Sequence, residues 1–381
     1  MTLYFFLVTF ISRFWTFFKK KSNEPLDIPF EGLRGILALS VFFHHGNIYY
    51  NFRKTGVWSY PNSYFYGQLG SVSVTLFFFI SGFLFWSKLL NSQGNIDIIN
   101  FFRNRTRRVV PVAYFSIALI AFIALYETDF KLKVSCLEFM KSIGQRLIFG
   151  LSLSVTDING FKNSNLINAG IFWTLFYEWL FYLSLPFLGW FAKKQRTFLL
   201  ICGVWTAYYY LSLNNFVNRS AKHEWAIYAK TIFEYLRWIT FGFGFGILGA
   251  WINKLIPLDK PLTHFWASSL FVVLFFFGVF PGATTLQRYG FLFGAFILIA
   301  YGNDLFGLLS SHSMKVLGRI SYSIYLFHGI VLWLLQRFQA EDPIKHWCFV
   351  GGAGLITILF SMLSYQFIEF PFLKKKIKLF H

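Results

Sequence analysis

Runs of about 20 apolar residues recur along this chain, each long enough to cross a hydrocarbon layer of about 30 Å as a helix. Ten are counted, at roughly 33–50, 69–90, 109–126, 170–192, 197–214, 229–251, 263–280, 286–303, 316–336 and 347–369. No soluble core could take up so much apolar surface: of the 381 residues 56% are hydrophobic, 23% aromatic and only 13% charged. The expected fold is all-α, a polytopic membrane protein of about ten transmembrane helices. No soluble domain, internal repeat or secretory cleavage site is expected.

The net charge of +19 would suggest nucleic acid in a soluble protein, but here the basic residues sit in short runs between apolar spans. Clusters at 19–21, 103–108, 193–196, 254–260 and 374–376 all fall on one side of a ten-span chain, which makes that side and both termini cytoplasmic. No nucleic-acid partner is expected; membrane lipids are. Cys136, Cys202 and Cys348 lack metal-ligand spacing and give no disulfide framework. Residues 3–18 are short, contain Arg13 and precede three lysines, so they predict an interfacial helix. Residues 136–152 would have to bury Glu138, Lys141 and Arg146 to span. They predict instead an amphipathic helix in a long external loop, 127–169, covering an acceptor site. The organisation expected is an N-terminal interfacial segment (1–27), a transmembrane domain (28–373) and a basic cytoplasmic tail (374–381).

One stretch departs from the apolar pattern. FEGLRGILALSVFFHHG, residues 30–46, sets Arg34 and the adjacent His44 and His45 in a run that otherwise reads as membrane-buried helix. At 100° per residue, eleven positions leave about 20° between Arg34 and His45, so they share a face, and His44 is turned roughly 80° away. The axial rise is about 16 Å, half the hydrocarbon thickness. Ionisable groups at such depth face a bundle interior or a water-filled cavity. On the residues alone two readings stay open: a functional pair, or a neutral histidine bonded to a neighbouring helix with an arginine snorkelling to the inner interface.

The segment resembles the opening helix of the acyltransferase family 3 membrane O-acyltransferases, whose pattern of Arg, ten residues and His selects His45 over His44. VTLFFFISGFLF (74–85) is similar to the second-helix motif of that family, and RTRRVVP (105–111) to its RxxR motif before a proline, giving Arg105 and Arg108. FWTLFYEWLFYLSLP (172–186), LGRISYSIYLFH (317–328) and YQFIEFPF (365–372) resemble further segments in the same order, so the likeness covers about residues 28–373. The family often has Asp at the positions of Glu31 and Thr75, so no aspartate-specific role carries over. Longer relatives append an extracytoplasmic esterase-like domain; none is expected after this basic tail.

Basic runs beside a span set topology, which accounts for Arg103 and Arg107. For Arg105 and Arg108 the resemblance adds binding of the phosphates of an acyl-coenzyme A, a task that suits the guanidinium fork. Thr174, Glu178 and Tyr182 form one polar stripe at the external start of a span, beside Trp173 and Tyr177. Interfacial anchoring suits the aromatic residues. Glu178 needs a partner one turn into the bilayer and is expected to line the acceptor side. Ser321, Tyr325 and His328 make a second stripe, read first as helix glue and second, with Tyr177, as pocket lining. Glu369 is expected to cap or pair structurally.

The resemblance implies an O-acyltransferase of the bacterial inner membrane. It would carry an acyl group, expected to be acetyl, from cytoplasmic acyl-coenzyme A to a hydroxyl of a surface glycan, such as a polysaccharide or lipopolysaccharide, or its lipid-linked precursor. Neutral His45 would be the general base, with Arg34 on its face and Glu178 orienting the base or the acceptor. No metal and no bound cofactor are expected, and direct transfer is simpler than an acyl-enzyme because no serine or cysteine stands in a nucleophile setting. A transporter or flippase of lipid-linked saccharides is the alternative, though the paired interrupted helices it calls for are not found. A noncatalytic scaffold for polysaccharide assembly is a third reading.

Overall fold

The computed structural model describes residues 29–148, 156–192, 203, 224–338 and 342–373. Their regular structure is helical, with no strand among the described residues, in keeping with a backbone that must satisfy its own hydrogen bonds in lipid. The helices are α1 (Phe30–Thr55), α2 (Tyr64–Asn91), α3 (Ile98–Tyr126), α4 (Cys136–Leu147), α5 (Phe172–Ala192), α6 (Glu224–Leu255), α7 (Phe265–Val279), α8 (Thr285–Ala300), α9 (His312–Arg319), α10 (Ser321–Leu335) and α11 (Pro343–Ser364).

Three described stretches are long and apolar enough to cross a membrane: α2, α3 and the run Pro343–Leu373 that α11 opens. A fourth results if α9 and α10, bent by 69°, form one span. The ten apolar runs of the sequence thus translate only in part into long apolar helices. α1 has 26 residues, but His44, His45, Asn47 and Asn51 dilute its apolar character. α7 and α8 are apolar but only 15 and 16 residues long, about 22–24 Å at 1.5 Å per residue. The run at 197–214, save residue 203, and the interfacial helix expected over 3–18 lie outside the described residues.

Packing divides the chain into two compact units. The first holds the described residues of Met1–Val74, Phe102–Trp179 and Asp259–Ile377. Here α1 lies against α9, α10 and α11. A Cβ at Gly318 would collide with the carbonyl of Glu31, so the backbones of α9 and α1 touch, and Arg319 adds an ion pair to Glu31 at 3.7 Å. The bend between α9 and α10 is held by the Ser321 hydroxyl, which donates to the Gly318 carbonyl at 2.7 Å. Tyr322 ties α10 to α3 by donating to the Val109 carbonyl at 2.9 Å, and the rings of Phe115, Phe327 and Phe360 join α3, α10 and α11. After α11 the chain widens into a π turn, Tyr365–Glu369, that buries Glu369.

The connection from α3 to α5 belongs to the same unit. Ser135 and Glu138 close a capping box that starts α4, the S-x-x-E arrangement that satisfies two amides reciprocally. At 12 residues the helix is about 18 Å long, and Lys141 is exposed on it, as its amphipathic reading requires; residues 149–152 of that reading lie outside the described residues. Arg146, by contrast, is buried. It donates to the carbonyls of Ser142 and Thr156, both at 2.9 Å, and to the Ser164 hydroxyl at 3.1 Å. Burial pushes its guanidinium down to about 10, with the Asp157 carboxylate opposing, so the cation persists at neutral pH. Beyond it, Ile158, Asn159, Ser164 and Leu166 to Ala169 are all buried. The loop folds inward as a plug.

The second unit holds the described residues of Thr75–Phe101 and Leu180–Leu258. Glycines let α2 and α6 approach: a Cβ at Gly246 would collide with the carbonyl of Phe79. Stacked Phe181 and Phe243, 4.0 Å between centroids, and the edge contacts of Phe85, Phe101 and Tyr182 fill its core. Thr75 accepts a hydrogen bond from the Trp238 indole at 2.7 Å.

Candidate active site

Adjacent on α1, His44 and His45 diverge as 100° per residue requires. His44 is buried: its Nδ1 donates to the Tyr66 carbonyl at 2.8 Å, and its ring lies where a side chain at Gly70 would be. That is a packing histidine. His45 is only partly buried, with Trp58 stacked over it at 6.4 Å between centroids, and its Nδ1 lies 3.0 Å from Nε2 of His328 on α10.

The hydrogen bonds assign the protons of this pair. Nδ1 of His328 lies 3.2 Å from the Ile324 carbonyl and must donate to it, so the neutral ring presents Nε2 as an acceptor. Nδ1 of His45, 3.1 Å from the Val41 carbonyl, is then the donor toward both Val41 and His328. Nε2 of His45 keeps its lone pair. A second histidine here takes the orienting place that a carboxylate often holds, fixing the tautomer that leaves the first ring ready to accept a proton.

Around the pair stands a polar wall. Tyr325, one turn before His328 with ring centroids 5.9 Å apart, meets Thr174 on α5 at 2.8 Å. Thr174 donates to the Ile171 carbonyl, so the tyrosine hydroxyl donates to Thr174. Glu178, one turn further along α5, acts electrostatically on Tyr325. The Thr174 and Glu178 stripe and the Tyr325 and His328 stripe therefore face each other. Tyr49, one turn beyond His45, donates its proton to the carbonyl of Leu166 at 2.5 Å, with the carbonyls of Gly329 and Ile167 at 3.2 and 3.4 Å. It pins the inward-folded loop beside His328.

The other candidates lie elsewhere. Arg34 is eleven residues from His45, about 16 Å along α1, and partly exposed. Ser321 belongs to the bend of α9 and α10, and Tyr177 packs edgewise on Trp173 and Phe176. Arg105 and Arg108 are partly exposed one turn apart on α3. Arg108, Arg319, Glu31 and Glu369 all act on Tyr365, so four separate motifs converge at this end of the unit. Glu369 accepts from the Ser323 hydroxyl at 3.3 Å, a pairing role of the kind expected of it. Sequence reasoning missed Tyr49 and Trp58 near the pair; Tyr49 carried a signal in its i+4 spacing from His45.

The model of the acyltransferase 3 family, described as an acyltransferase domain, matches residues 28–366. The chain is 22% identical over 392 residues to O-acetyltransferase OatA of Staphylococcus aureus strain NCTC 8325 / PS 47, an alignment covering 95% of this chain and 60% of that protein. OatA of strain COL gives the same values. The chain thus spans about 60% of the length of these relatives. No solved structure matches.

Proposed function

This chain belongs to the acyltransferase 3 family, and on that premise we propose that it is a membrane O-acetyltransferase taking acetyl from cytoplasmic acetyl-coenzyme A to a hydroxyl of a surface glycan or its lipid-linked precursor. The observation that carries the reading is the His45 and His328 pair, 3.0 Å apart, on two of the helices whose motifs resemble the family. His45 Nε2 removes the proton of the acceptor hydroxyl, and the hydroxyl oxygen attacks the thioester carbonyl. The imidazolium that forms is stabilised through Nδ1–H by His328. Collapse of the tetrahedral intermediate breaks the C–S bond, and the coenzyme A thiolate takes the proton back from His45. The names of the O-acetyltransferase relatives support acetyl as the group.

Arg105 and Arg108 hold the phosphates of the donor at the cytoplasmic end, where Arg108 also acts electrostatically on Glu369, while Arg34 lines the path of the thioester toward His45. Glu178 and Tyr325 face the acceptor. Ten spans, with both termini cytoplasmic and the α4 loop outside, put the two substrates on opposite sides of a bacterial inner membrane. The reaction needs neither a metal nor a bound cofactor.

Membranes carrying the chain test this reading with acetyl-labelled acetyl-coenzyme A. Arg105→Ala and Arg108→Ala are expected to raise KM for the donor on the order of tenfold with little change in kcat, because remote phosphate contacts supply uniform binding. Lysine at either position should restore part of the loss. Donor KM unchanged in both variants would leave these arginines a topogenic role and remove the donor assignment.

A further inference from the structure

The plug that Tyr49 pins buries one more polar side chain where it packs on α10. Asn168 is 2% exposed, and its amide Nδ2 is buried with no hydrogen-bond partner among the described residues. A Cβ on Gly329, the residue after His328, would collide with the backbone of Asn168 and Ala169, so the turn lies directly on α10 at the level of the histidine. The turn is also held in an uncommon shape. Ala169 has φ +60° and Gly170 φ +67°, and a left-handed alanine costs about 1–2 kcal/mol. The backbone amides of 169 and 170 are used within the turn, donating to Leu166 and Asn165. The Asn168 amide Nδ2 has no such use among the described residues. An amide buried without a partner costs about 1–3 kcal/mol by mutational measures, a penalty expected where a ligand supplies the missing acceptor.

We propose that Asn168 donates a hydrogen bond to the acyl carbonyl oxygen during transfer, forming an oxyanion site beside the His45 and His328 pair. This rests on the acyl-transfer reading above. As the acceptor oxygen bonds to the carbonyl carbon, the C=O pair of electrons moves onto oxygen, and Asn168 Nδ2–H meets the charge that develops. The C=O re-forms as the C–S bond breaks. The amide returns with its proton, neither oxidised nor reduced.

The test uses the full chain in native membranes, with transfer of label from acetyl-coenzyme A measured alongside the melting temperature of the detergent-extracted protein. Asn168→Leu, close in size and without polar atoms, is expected to lower kcat on the order of 100-fold, as loss of an oxyanion donor does, with donor KM unchanged. Because it removes a buried unmet amide, it should melt no lower than the parent. Asn168→Ala is the second variant and should show the same loss of kcat at unchanged KM. A kcat loss under about tenfold in both, or a loss matched by a fall in melting temperature in both, overturns the assignment: the residue would be dispensable or structural. An inactive parent, present and folded in the membrane, would overturn the acyl-transfer reading and the assignment together, whereas an active parent with active variants overturns the assignment alone.

Discussion

Two imidazole nitrogens 3.0 Å apart hold a proton between them, so His45 and His328 serve as partners only while at least one ring is neutral. His45→Ala should lower transfer by about 100- to 10,000-fold, the range for loss of a general base, at an undiminished level in the membrane. His44→Ala should keep most of the activity and lower the melting temperature, because the ring that fills the space beside Gly70 is lost. Reversed effects would show that the wrong histidine has been chosen. His328→Gln, which retains an acceptor, should keep more activity than His328→Leu, read from kcat in the same assay. Helical phase set His45 on the face of Arg34 and away from His44, and the resemblance then selected it as the candidate. The meeting of His328 with His45 was not readable, because a polar stripe on one helix does not reveal what it meets on another. Asn168 was invisible: a turn with successive left-handed residues has no periodicity from which burial can be read.

At the scale of elements, the segment that joins α3 to α5 shows what charge pattern can and cannot foretell. Glu138, Lys141 and Arg146 among apolar positions made an amphipathic helix readable over 136–152, and the structure starts α4 with a capping box at Ser135 and Glu138 and exposes Lys141. Burial of Arg146 was not readable, since its partners Thr156, Asp157 and Ser164 come from a loop with no regular spacing. The same arginine that argued against a span is the bolt of the plug. Arg146→Ala breaks three hydrogen bonds of a buried cation and should cost about 3 kcal/mol. Limited proteolysis should then cut within 127–169 faster than in the parent, while Lys141→Ala, on the exposed face, should leave the cleavage rate unchanged. Equal rates in parent and Arg146→Ala would mean that the plug is held by its apolar contacts alone.

For the whole molecule, apolar composition made an all-helical membrane fold legible, but the number of spans was not. Helices such as α1 give up hydropathy to carry His44, His45 and their polar neighbours, and α7 and α8 fall short of a bilayer in length. Sidedness can be measured through a native residue. Cys136 is exposed at the start of α4; in a chain with Cys202→Ser and Cys348→Ser it should react with a membrane-impermeant thiol reagent on intact cells. Asn91→Cys in a chain without Cys136 should not. The opposite pattern would invert the topology and close the route from cytoplasmic donor to surface acceptor. Whether the His45 and His328 pair acylates a surface glycan is decided by mass spectrometry of that glycan. Glycan is compared from the parent strain, a deletion strain, and the deletion strain carrying either the intact chain or His45→Ala. One acetyl mass should be lost on deletion, return with the intact chain and not return with His45→Ala; a glycan mass unchanged by deletion, or restored by His45→Ala, would rule out acylation by this pair.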